Sequence, residues 1–148
     1  MKKLILTVIA VALLFTSCRE VPRASSILSD FLYSYPMGGN VYTSDASEGE
    51  VGYASEELLC RLFDYEGELS VGYAFLLGAR PERGGECGVF VTDDALERER
   101  ITEMCRRRVA LVSDGGGVVI RSGRVVAYLT SSDERGERLL RKIISRYT

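Results

Sequence analysis

The chain contains no histidine. That removes the usual general base near neutral pH and the commonest side chain for binding transition metals. Ser-His-Asp and Cys-His catalysis are excluded with it. The cysteines do not fill the gap. Cys60, Cys87 and Cys105 lie far apart with no C-x-x-C spacing, so neither a redox motif nor a structural zinc site is supported. They read as buried thiols acting as small hydrophobes, or as one disulfide and a leftover thiol in an exported chain. No internal repeat is present, and nothing in the residues asks for a cofactor. Asp114-Gly115-Gly116-Gly117 is rich in glycine but leads into a strand. A phosphate cradle needs a helix N-terminus after the loop, so this stretch reads as a flexible turn. Asp93-Asp94 stands at a helix start, where paired acids serve as cap and dipole partners rather than metal ligands.

Long apolar runs are also missing. The longest, Leu4 to Phe15, is broken only by Thr7 and falls short of the ~20 residues a membrane-spanning helix needs. Behind Lys2-Lys3 it has the length of a signal-peptide core. Leu14-Phe15-Thr16-Ser17-Cys18 then looks like a bacterial lipobox, with Phe15 where Leu is usual. On this reading residues 1–17 are a leader. Cys18 takes a diacylglycerol thioether and becomes the N-terminus, and residues 18–25 are a short tether. Two acyl chains anchor a protein stably where one does not. The domain is then expected on the outer face of a bacterial cytoplasmic membrane. A plainly secreted chain and a retained N-terminal anchor are the alternatives.

A basic surplus is absent as well. The 19 basic residues less Lys2 and Lys3 leave 17 against 21 acids, a net charge of −4 for the mature chain. That argues against a nucleic-acid partner. The charge is uneven. Asp45, Glu48, Glu50, Glu56, Glu57, Asp64, Glu66 and Glu68 face Arg61 alone, whereas basic residues prevail after Arg98. Two solvated faces, or a surface polarised toward a partner or a lipid headgroup layer, both follow from this.

Ile27, Leu28, Phe31, Leu32 and Tyr35 mark a first helix from Ser26, ended by Pro36. Residues 36–53 read as a mobile loop. Ser55 caps a second helix with Glu56 and Glu57 in its first turn. Strands are expected at 70–78 and 86–92, joined by a hairpin over 79–85. A helix runs from Asp93 or Asp94 to about Val109, with Arg108 on its apolar face as either a frayed residue or a paired charge. Val118–Arg121 and Arg124–Leu129 flank a tight turn at Ser122-Gly123. Ser131-x-x-Glu134 offers a capping box for the last helix, on which Glu134–Arg138 and Glu137–Arg141 are favourable i,i+4 pairs. The expectation is one α+β domain over 26–148: a four-stranded antiparallel sheet of two hairpins carrying amphipathic helices.

The stretch ECGVFVTDDALERERITEMCRRR, followed by SGRVVAYLTSSDERGERLLRKI, resembles a domain-of-unknown-function family of small exported proteins, mostly lipoproteins, of Gram-positive anaerobes. The likeness covers about residues 55 to 146, with a shorter connection at Ser113–Gly117. It implies export and a small α+β domain. No activity is known for that family, so no catalytic residue comes with it.

Four arginines are candidate anion ligands: Arg121 and Arg124, expected to face each other across the turn, and Arg106 and Arg107 on the long helix. Tyr33, Tyr35, Tyr42, Tyr53 and Tyr73 offer a possible groove for a sugar or peptide, or plain core and rim. The expected role is non-enzymatic binding of an envelope protein or glycan by a membrane-tethered domain. The alternatives are an envelope-acting enzyme or accessory using carboxylates of residues 45–68, and a structural or assembly lipoprotein.

Overall fold

The computed structural model describes residues 21–65, 69–78, 85–113 and 116–148. Five strands form one antiparallel sheet: β1 (Gly39–Thr43), β2 (Gly72–Gly78), β3 (Cys87–Val91), β4 (Val118–Ser122) and β5 (Val125–Leu129), in the order β1-β2-β3-β5-β4. Among the described residues four helices cover it: α1 (Ala24–Ser34), α2 (Glu56–Phe63), α3 (Ala95–Val112) and α4 (Glu134–Ile144). Every neighbouring pair is antiparallel, so β3 and β4 run parallel with β5 between them. Helix α3 makes the crossover that joins them.

The helices lie on both faces of the sheet. On one, Ile27, Leu28 and Phe31 of α1 and Leu140, Ile143 and Ile144 of α4 meet Ala74, Leu76, Val89 and Ala127. On the other, Leu59 and Phe63 of α2 and Ile101, Met104 and Cys105 of α3 meet Phe75, Phe90, Val126 and Tyr128. Alternation along β2, β3 and β5 sends successive side chains to opposite layers. Strands β3 and β5 are therefore buried over their whole length. Phe63 sets its ring edge-on against Phe75, Phe90 and Tyr128, an arrangement the ring quadrupoles favour.

Several sequence expectations need correction. The sheet has five strands, not four, because residues 36–53 contain edge strand β1. The rest of that stretch is held by backbone bonds, Thr43 N–H to Gly52 O at 2.9 Å and Ser44 N–H to Tyr73 O at 2.9 Å. Helix α1 begins two residues early, since Ala24 is buried and Ser25 donates to Asp45. Asp133, not Ser131, caps α4, accepting from the Arg135 N–H at 3.0 Å. Ser55 and Asp94 cap α2 and α3. The β4–β5 turn sits at Gly123-Arg124, because Ser122 pairs with Val125. Gly123 has φ +52°, the left-handed geometry a tight hairpin turn asks of its first central residue. The expected hairpin over 79–85 lies almost wholly outside the described residues, as do Asp114 and Gly115.

Candidate functional site

The four candidate arginines do not converge. With Ser122 opposite Val125, Arg121 pairs with Val126 and cannot face Arg124. Each has its own carboxylate: Arg121 binds Glu99 of α3, and Arg124 binds Asp93 at 2.6 Å. Arg106 pairs with Glu103 at 3.5 Å and lines an open recess with Val109, Ala110, Ser113 and Val119. Arg107 lines a different recess with Asp64, Tyr65, Arg100 and Glu103. In that recess Arg100 stacks over the Tyr65 ring at 5.3 Å, and Tyr65 donates to Glu97. Burial raises the Tyr65 phenol above its ordinary value, and the bond to Glu97 adds to it.

The acidic segment is spread out. Asp45, Glu48, Glu50, Glu56, Glu57 and Asp64 are all exposed. Glu50 accepts from the Ser47 N–H, Glu56 and Glu57 fill the first turn of α2, and Asp64 ends that helix at φ +51°. Carboxylate catalysis needs two acids in one pocket with one of them desolvated, and these six stand apart in water. Glu66 and Glu68 lie outside the described residues, as does Cys18. Among the described residues no group of three or more Cys, Asp or Glu could hold a metal ion.

The tyrosines split between layers rather than forming one groove. Tyr35 stacks on Phe31 in the α1–α4 layer and donates to Asp133 at 2.8 Å. That bond, with the Arg135 N–H, holds the Asp133 carboxyl below its ordinary value. Tyr42 and Tyr73 stack on Phe75 in the other layer. Tyr33 projects from α1 and is 90% exposed.

No disulfide joins Cys60, Cys87 and Cys105, all of which are free thiols. Cys60 is exposed, contrary to the expectation of three buried thiols. It lies on α2, next to the buried Leu59. Burial pushes the Cys87 thiol up to about 12 and that of Cys105 further still, so neither is a nucleophile.

Of two further features, sequence reasoning anticipated one in part, in Arg108 as a paired charge, and missed the other. The first is a buried ion pair. Glu86 is 2% exposed and receives both arms of Arg108, Nε at 2.9 Å and Nη2 at 2.7 Å, while Nη1 donates to Leu62 O at 3.2 Å. The anomalous Arg108 pointed to such a partner, but its identity depends on packing β3 under α3. The nearby Tyr128 hydroxyl is buried without a hydrogen-bond partner, and burial drives that phenol well above its ordinary value.

The second is a basic row on α4. Arg135, Arg138 and Lys142 recur at i, i+3 and i+7, so they share the face opposite the buried Leu140, Ile143 and Ile144. With Ser34 of α1 and Leu139 they line an open recess of about 420 Å³. Between Asp133 and Arg146, five basic side chains (Arg135, Arg138, Arg141, Lys142, Arg146) outnumber Asp133, Glu134 and Glu137. Glu134 holds Arg138 at 3.1 Å and Glu137 holds Arg141 at 2.8 Å. Arg135, Lys142 and Arg146 have no ion-pair partner among the described residues. Helical periodicity applied to the basic residues, and not only to the apolar ones, would have found this row.

Comparison with protein-family models, with curated proteins and with solved structures found no match.

Proposed function

We propose that this chain is exported, carries a lipid on Cys18, and works as a binding domain of the cell envelope rather than as a catalyst. The leader and lipobox pattern support the first half, and the family resemblance points the same way. One observation carries the second. The charged side chains are either committed to fixed partners or spread over open surface, and the described carboxylates of the acidic segment do not converge. The buried pair Glu86–Arg108 is engaged by its own bonds and fixes β3 to α3 and α2. The side chains left to meet a partner lie in shallow, arginine-lined recesses.

The test is the mass of the mature N-terminus, taken from the membrane fraction of a bacterial host expressing the full chain. A diacylglyceryl cysteine at position 18 is the expected result. An unmodified chain recovered from the medium would overturn the tether. For the binding role, crosslinking in intact envelopes should enrich a protein or glycan over an unrelated lipoprotein carrying the same anchor. Equal yields would count against it.

A further inference from the structure

We propose that the outer face of the α1–α4 layer docks on an anionic lipid headgroup surface, through Arg135, Arg138 and Lys142 with Tyr33 beside them. This rests on the tethered reading above. Three observations lead to it.

The first is charge. The mature chain is net negative, yet the α4 segment is basic. The acids of α2 lie elsewhere, since α2 covers the opposite face of the sheet, and Asp45 of the turn after β1 meets this layer at Ser25, the end of α1 away from Ser34 and the recess. Laid on an anionic surface by its α4 side, the domain brings its basic row close and keeps the acids of α2 away. Screening limits that attraction to ~8 Å at physiological salt, so the orientation decides whether it is felt.

The second is the exposed aromatic. Tyr33 adjoins Ser34, which lines the same recess as the basic row. At 90% exposure its ring covers nothing in this chain. A tyrosine with an apolar body and a polar tip suits the membrane–water interface, and basic side chains beside it can reach the phosphates.

The third is reach. From Cys18 to Ala24 there are six peptide steps, which span at most ~20 Å. The tether enters this layer at the first residue of α1, and α1 is ~16 Å long. A lipid on Cys18 therefore holds this layer within one domain width of the headgroups.

The absence of tryptophan supplies the assay, since Tyr33→Trp gives the chain a single indole reporter. The full lipidated chain carrying it would be reconstituted into vesicles of phosphatidylcholine alone, or of phosphatidylcholine mixed with phosphatidylglycerol. Flotation reports the tether, and Trp emission with quenching by brominated acyl chains reports the docked face. The expectation is flotation with both vesicles, but a blue shift and quenching only with the anionic ones, reversed by high salt. Each basic side chain near an anionic surface contributes roughly fivefold to the docked population. The variant R135Q/R138Q/K142Q should then lower the docked-to-free ratio by about a hundredfold. All three residues are exposed, so its circular dichroism should match the parent. Flotation with both vesicles but identical Trp emission would overturn docking and leave the tether standing; an acidic protein partner would also give this result. Flotation with anionic vesicles alone would overturn the tether and support the docking face. Flotation with neither would overturn both.

Discussion

Glu86 and Arg108 can be removed singly or together, and the two experiments separate what the pair contributes from what breaking it costs. Glu86→Gln leaves a guanidinium buried without its counter-charge, and removing one partner of a buried pair costs about 3–5 kcal/mol. Replacing both, as E86L/R108M, removes the two desolvation penalties along with the attraction and should recover most of that loss. Urea unfolding of the three proteins checks this, and a double variant no better than Glu86→Gln would contradict it. The thiols give a second test. Cys60 should react at once with a thiol reagent, whereas Cys87 and Cys105 should react only on unfolding. The same burial makes stability depend on pH. An unfolded thiol ionises near 9.0, but the fold keeps Cys87 protonated to about 12. Above 9.0 the unfolded chain therefore binds fewer protons than the folded one. Stability contributed by Cys87 is complete below pH 9 and falls as pH rises toward 12. Cys87→Ala should flatten the alkaline decline in urea midpoint, and an unchanged slope would show that Cys87 does not cause it.

The middle of the sheet depends on a residue without a side chain. Gly88 in β3 lies opposite Tyr128 in β5. A Cβ there would meet the Tyr128 ring at 2.4 Å and Phe75 Cβ at 3.1 Å. Tyr128 fills the space over the glycine and completes the ring cluster around Phe63. Gly88→Ala overpacks this point and should cost about 1–3 kcal/mol, read as a lower urea midpoint with unchanged secondary structure. Strands such as β3 were legible in sequence because their apolar runs are dense and bounded by polar turns. β1 was not, since Gly39-Asn40-Val41-Tyr42-Thr43 is short, largely exposed and preceded by glycine. Its pairing with β2 makes it a strand, and pairing is non-local. The turn at Gly123-Arg124 was misplaced by one residue for a related reason. Ser122 and Gly123 are both turn formers, and only the register against β5 chooses between them. The ion pairs of Arg106, Arg121 and Arg124 were not legible, because sequence shows charges but not the acids that fold against them.

In the whole molecule, the sheet shares its strands between two cores, and each helical layer depends on the same backbone. The charge layout follows that division, with a basic α4 on one side and an acidic α2 on the other. The sheet order has a further consequence, in time rather than space. Strand β5 is the last to be synthesised, yet it lies between β3 and β4. Until Val125–Leu129 leaves the ribosome, β3 keeps an open edge and β4 has no neighbour at all. Both layers then lack one of the two strands that are buried over their whole length. A growing chain therefore cannot complete either core ahead of its C-terminal hairpin. Under the export proposed above, that delay would leave the body open while it is threaded through a membrane.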